Sequence, residues 1–292
     1  MSLLDIRLLD IQVLKREAIL AIGLVVLLLG SMTLATGSYP PMVVVESGSM
    51  SHDTDGSVGA IDPGDLVLVM NPSRVEIITY LEATKEGGEH EGYETHGMAG
   101  DVIVYRKNGG NDTPVIHRAL LKAVANPEGG WDVPGTDIVG VSEITIELDY
   151  DCFHGNTKLT IERWVPAHEG YLTTGDNKWS NGCQIDQLRA RDPDLSEQQI
   201  RGQGLKDEHG QPVQAVKDEW VVGVASLELP WIGAIKLAAS GTGDQVPSKS
   251  WSRLLVVVAS IITAPVVLEM IADRISGSRS DSDDELGSSE EE

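Results

Sequence analysis

Two long apolar stretches bracket the chain. The first, 18–36, contains no charged residue and follows Lys15-Arg16. Its length suits a helix crossing a bilayer, which takes roughly 20 residues. A basic flank also describes a cleavable signal peptide, but this run is longer than the usual apolar part of one. It reads as a retained anchor. Residues 1–17 interleave Leu, Ile and Val with Asp, Arg and Gln, the pattern of a short amphipathic helix lying on a membrane. Arg7, Lys15 and Arg16 place the N-terminus in the cytoplasm and everything after Thr36 outside. The second stretch, 254–272, holds Pro265 and Glu269. Proline is tolerated in membrane helices, so it reads as a second transmembrane helix. Residues 273–292 are rich in Ser, Asp and Glu and read as a disordered, solvated tail.

Between the spans, 37–250 reads as an extracytoplasmic β domain. Gly37-Ser38-Tyr39-Pro40-Pro41 stops the first helix and starts an extended segment. Runs rich in Val, Ile and Thr follow at 66–70, 102–106, 115–124, 144–150, 159–164 and 220–227, each bounded by turn-forming residues. One short helix is expected near 188–200. The expected fold is therefore mainly β, a barrel or a set of packed small sheets. Two polar insertions interrupt it, 82–100 and 192–214.

Composition narrows the function classes. Acidic residues number 45 against 22 basic, a net charge of −23. Such an excess repels nucleic acid, whose phosphates need Lys and Arg. The acids are spread along the chain, which favours a surface built for high salt and hence a halophilic source. An acidic face for a basic partner is the other reading. The two cysteines, Cys152 and Cys183, form no CxxC pair, so a structural zinc site is not expected. They either pair as a single disulfide or are two idle thiols. No cofactor is expected.

Candidate chemistry begins at Val43-Val44-Val45-Glu46-Ser47-Gly48-Ser49-Met50, a β-run ending in a small-residue turn just past the first span. A hydroxyl on such a turn is a potential nucleophile, but a serine needs a base within hydrogen-bond reach. Of the seven histidines, six lie in loop-like context, where an exposed neutral ring is the default. His117 lies inside an apolar β-run, Pro114-Val115-Ile116-His117-Arg118-Ala119-Leu120, and its neighbour Arg118 favours a polar cleft over a core face. Asp176, in Thr174-Gly175-Asp176-Asn177, is either an Asx-turn residue or a carboxylate that fixes the His117 tautomer. Asp186 is a second carboxylate candidate. His90, Glu91 and His96 lack the helical spacing of a zinc motif.

Six blocks occur in order: Ser47-Gly48-Ser49-Met50, Gly64-Asp65-Leu66-Val67, Gly100-Asp101-Val102-Ile103, Ile116-His117-Arg118, Thr174-Gly175-Asp176-Asn177 and Glu219-Trp220-Val221-Val222-Gly223. This order resembles the archaeal and endoplasmic-reticulum type of signal peptidase I, over residues 43 to about 229. The resemblance implies a signal-peptidase-like β domain on an archaeal, membrane-bound serine endopeptidase of the cell membrane. Ser49 would be the acylating nucleophile and His117 its general base, where the bacterial branch uses lysine. Asp176 would be the essential acidic residue, and Asp186 the best match to a further aspartate at a longer spacing. The Ser49 N–H would form part of the oxyanion hole, with Ser47 as a second donor. The partners implied are preprotein signal peptides, membrane lipid and the protein translocon. The chain departs from the family where Ser51-His52-Asp53 replace an expected proline and the loop 52–61 lengthens. A different class of function, an inactive membrane-anchored β domain that binds partners, remains the alternative, as does an acidic envelope domain that binds a basic ligand.

Overall fold

The computed structural model describes residues 3–53, 56–150, 157–161, 166–178, 184–187 and 204–287, with side chains described over 12–271 of these. Cys152, Cys183 and the expected helix at 188–200 lie outside the described residues. The protein is mainly β sheet, with one long apolar helix at each end.

The first helix, α1 (Leu3–Thr36), runs without a break through Lys15-Arg16, joining the expected amphipathic segment to the expected span. Within it Gln12–Thr36 is long and apolar enough to cross a bilayer, and it stands clear of the rest of the protein until its last turns, where Thr36 is buried. Its C-terminus is fixed to the β domain. Gly37 turns the chain at φ 70°, a conformation that favours glycine, and the Arg74 side chain packs against its bare Cα. Arg74 uses that space to donate to the Leu34 and Ala35 carbonyls at 2.7 and 2.9 Å. The Asn71 side chain donates to the Gly37 carbonyl. A cation at a helix C-terminus also opposes the negative end of the helix dipole.

The main sheet is antiparallel throughout. It uses β1 (Met42–Val44), β2 (Leu66–Met70), β5 (Val102–Tyr105), β6 (Val115–Ala125), β10 (Gly170–Thr174) and β11 (Val221–Leu229), in the order β1-β2-β11-β5-β6-β10. The short β7 (Trp131–Asp132) pairs with the far end of β6. Two small hairpins stand apart, β3 (Glu94–Thr95) with β4 (Met98–Ala99) and β8 (Ile144–Glu147) with β9 (Lys158–Ile161). The insertion at 82–100 is therefore structured: β3 and β4 follow α2 (Tyr80–Thr84), which opens on a Thr79/Glu82 capping box. Three register shifts, in β10/β6, β11/β2 and β11/β5, bend the sheet.

Branched aliphatic residues fill the interior. Leu120, Leu121, Ile146 and Ile161 form part of one cluster, and Ile103, Tyr105, Ala119 and Val221 part of another. A third cluster, Val45, Met50, Ile61, Val67, Val102 and Ala225, lies directly under the turn that carries Ser49. Met50 is fully buried there, a burial that contributes about 1.5–3 kcal/mol for a side chain of this size.

The last helices are α3 (Ala234–Ser240) and α4 (Ser248–Gly287). Ser248–Ile271 is the second segment long and apolar enough to cross a bilayer. Together the two helices point to membrane association. α4 continues beyond Ala272 over residues read from sequence as a disordered tail, because extending an existing helix needs no new nucleation.

Candidate active site

Ser49 sits on a turn held at both ends. Val45 and Met50 are buried on either side of it, and the Val45 N–H donates to the Asp65 carbonyl. From the other side Asn177 donates its backbone N–H to the Ser49 carbonyl at 2.9 Å and its side-chain amide to the Gly48 carbonyl at 2.7 Å. With its backbone fixed on both flanks, Ser49 is left half-buried, facing a cavity of about 710 Å³.

His117 comes from β6, paired across the sheet with Ile103. Its Nε2 lies 2.9 Å from Ser49 Oγ and its Nδ1 lies 2.6 Å from Asp186 Oδ2. A carboxylate only accepts, so Nδ1 carries the proton and Nε2 accepts from the Ser49 hydroxyl. Asp186 Oδ2 also accepts from the Tyr105 hydroxyl at 3.0 Å and the Thr173 hydroxyl at 2.7 Å. The carboxylate is buried, and these donors replace the water it has lost. Burial raises the Tyr105 phenol well above its ordinary range, and the neighbouring Asp186 charge adds to that, so Tyr105 stays a neutral donor. The backbone of Asp186 is anchored as well. Its N–H donates to the Thr173 carbonyl, and its carbonyl accepts from the Leu205 N–H.

Asp176, expected to fix the His117 tautomer, does not reach the ring; the structure gives that contact to Asp186. The reason is strand geometry. Successive side chains on β6 point to opposite faces, so His117 and Arg118 part company. Asp176 goes with Arg118, accepting from its Nε at 2.9 Å and its Nη2 at 2.6 Å. Arg118 is not in a polar cleft either: it is wholly buried. Its remaining donors reach the carbonyls of Thr95, Met98, Ala99 and Gly100. This forked, fully hydrogen-bonded pair joins the β3–β4 hairpin, β6 and the loop that carries Asn177. Asp176 thus reaches the Ser49 turn only through its neighbour Asn177.

Ser47 Oγ lies 3.3 Å from Ser49 Oγ, at the mouth of the same cavity. That places a second hydroxyl beside the Ser49 hydroxyl. His52, which stands where the resemblance leads one to expect proline, donates from Nδ1 to the Met50 carbonyl, 3.2 Å away, and lies 3.9 Å from Asp176. His96 was expected to be an exposed loop histidine. It is buried instead, 3.2 Å from Glu228, whose other oxygen accepts from the Gly59 N–H. Among the described residues no group of His, Cys, Asp and Glu is arranged to hold a metal ion.

Three residues of the site were not assigned from sequence. Asn177 follows Asp176 in the Thr-Gly-Asp-Asn motif, where nothing in the local sequence marks it as a partner of the Ser49 turn. Tyr105 and Thr173 read as ordinary strand residues, and only their shared approach to Asp186 reveals their work.

The remaining walls of the cavity are mostly branched and apolar, Val43, Val104, Val115, Ile116, Ile185 and Leu205 among them. β1 is the edge strand of the main sheet, and the run from Val43 to Ser47 lines the cavity. No family model matches the chain, and no curated protein matches it.

Proposed function

We propose that the protein is a membrane-bound serine endopeptidase that removes signal peptides from exported preproteins, in the manner of the archaeal and endoplasmic-reticulum type of signal peptidase I. The observation that carries the reading is the unbroken chain of contacts Ser49–His117–Asp186. A serine hydroxyl, an imidazole in the right tautomer and a buried carboxylate stand in hydrogen-bond sequence at the wall of a cavity.

In this reading a substrate peptide lies extended along β1, adding a strand to the sheet edge. Ser49 Oγ attacks the scissile carbonyl carbon while its proton passes to His117 Nε2. The imidazolium that forms is stabilised by Asp186. The Ser49 N–H and the Ser47 hydroxyl receive the developing oxyanion. His117 then gives its proton to the leaving amine, which departs as the new N-terminus of the mature protein. Water, deprotonated by the same imidazole, hydrolyses the acyl-enzyme.

Two further features support a substrate held near a bilayer. Both ends of the β domain lead into helices able to cross one, and the first of these is clamped to the domain by Arg74 and Asn71. Apart from Glu46 and the His117–Asp186 pair, the cavity walls are mostly Val, Ile and Leu, which suits small apolar side chains before the cut.

The test is cleavage of a preprotein by the full-length protein in membranes. Ser49→Ala and His117→Ala are each expected to lower kcat by about 10⁴-fold or more while the protein still accumulates. Undiminished cleavage by Ser49→Ala removes the assignment. Cleavage of soluble peptides with no preference for a signal peptide keeps the triad but removes the substrate class.

A further inference from the structure

Where α4 leaves the β domain, a second groove of about 570 Å³ opens, away from the Ser49 cavity. One end is apolar. It is walled by Val58, Val256 and Val257, and the last two are 65% and 39% exposed on the helix itself. The groove therefore runs on without interruption to the apolar face of a helix able to cross a bilayer.

The other end, one helical turn nearer the domain, carries Arg253 and Ser252, and Ser57 lines the groove as well. The Arg253 guanidinium is held in place, donating to the Gly56 carbonyl and lying 5.9 Å from the centre of the Trp231 ring. Trp231 in turn donates its indole N–H to the same carbonyl at 2.9 Å. The Ser57 hydroxyl is shut away from solvent and has no hydrogen-bond partner among the described residues. Lys249 precedes Arg253 by four residues, which puts it on the same helix face one turn nearer the domain. No carboxylate is among the described lining residues, although Asp and Glu outnumber Lys and Arg by 45 to 22 in the chain.

A fixed guanidinium and an aromatic ring stand at one end, and an apolar channel leads to the bilayer at the other. We propose that this groove binds one anionic phospholipid, its phosphate taken by Arg253 and one acyl chain lying along Val256 and Val257. The guanidinium fork matches phosphate oxygens in two-point geometry. Tryptophan is at home at headgroup depth, where one part of the ring is apolar and the N–H is wet or bonded. The inference rests on the membrane-crossing helix and is independent of the Ser49 chemistry.

Native mass spectrometry of the full-length protein in mild detergent tests it. The titrants are a phosphatidylglycerol and a phosphatidylcholine with the same acyl chains. The unmodified protein is expected to bind phosphatidylglycerol about tenfold more tightly, Arg253→Gln to lose that preference and Arg253→Lys to recover part of it. Val257→Trp, which fills the apolar channel and leaves Arg253 in place, is expected to weaken both lipids several-fold. Equal affinities in the unmodified protein overturn the proposal, as does a preference that survives Arg253→Gln. Should Arg253→Gln fail to fold, because Arg253 also holds Gly56, unchanged lipid retention by Val257→Trp overturns it alone. Displacement of phosphatidylglycerol by millimolar inorganic phosphate overturns the lipid assignment in favour of a free-phosphate site.

Discussion

The two faces of β6 differ sharply in what they do with a buried aspartate. On one face, Asp186 meets an imidazole that can change charge, and it is surrounded by hydroxyl donors from Tyr105 and Thr173. On the other, Asp176 meets a guanidinium that never changes charge, tied to four backbone carbonyls. A titratable partner gives a site that can move a proton. A permanent cation gives a clamp. Neighbouring residues in sequence, His117 and Arg118, thus enter a hydrogen-bond chain with Ser49 and a fixed ion pair respectively, because a strand sends them in opposite directions.

Asparagine substitutions should separate the two. Asp186→Asn keeps the shape but no longer holds His117 with Nδ1 protonated, and preprotein cleavage is expected to fall about 10³–10⁴-fold in kcat with little change in KM. Single-turnover cleavage in membranes measures it; a loss under tenfold would mean that Asp186 does not orient the base. Asp176→Asn leaves the triad's own contacts untouched and strands a buried guanidinium. Breaking such a pair costs about 3–5 kcal/mol, so thermal denaturation should show a large drop in Tm. At a temperature where this variant is folded, its pH–rate profile should keep the shape of the unmodified protein. A shifted acidic limb, where the His117 base is protonated, would return Asp176 to the catalytic machinery.

The legibility of the site divides along the same line. Ser49 was visible because a small-residue turn follows a β-run close to an apolar span. His117 was visible because a histidine inside an apolar strand stands out. The choice between Asp176 and Asp186 was not visible. Both follow β10 within a dozen residues, and sequence distance does not say which carboxylate folds back against β6. The backbone pairing of Asp186 N–H with the Thr173 carbonyl makes that choice, and no local pattern announces it.

Tyr105→Phe probes the donors around Asp186 more gently. It removes one hydroxyl of a charge-assisted bond while Thr173 still donates, and kcat is expected to fall about tenfold. An unchanged rate would show that Thr173 and His117 suffice to hold the carboxylate.

The smallest effect concerns a third carboxylate, which sharpens the contrast by having backbone N–H partners. Asp65 accepts from the N–H groups of Trp231 and Asp62, and burial pushes its carboxyl from the ordinary 3.8 up to about 6. The folded protein therefore holds this proton more tightly than the unfolded chain. Its contribution to stability is fully present below about pH 3.8 and is lost as the pH rises through about 6. Denaturation between pH 4 and 7 should show a fall in stability across that window that is flatter in Asp65→Asn. Identical slopes would place the Asp65 carboxyl back in its usual range.

By itself the sequence determined the elements that depend on local pattern. It marked two apolar runs of bilayer length, a mainly β domain rich in Val and Ile between them, and a serine and a histidine in distinctive local settings. Only the tertiary structure decided what depends on chain return. It joined residues 3–17 to the first span as one helix, buried Arg118 and His96, gave Asp176 to the clamp and Asp186 to the histidine, and brought Tyr105, Thr173 and Asn177 to the site. The physical reason is common to all of these. Hydrophobic periodicity is written within a few residues, whereas the partner of a buried charge is chosen by whichever segment, however distant in the chain, packs against it and replaces the water it has lost.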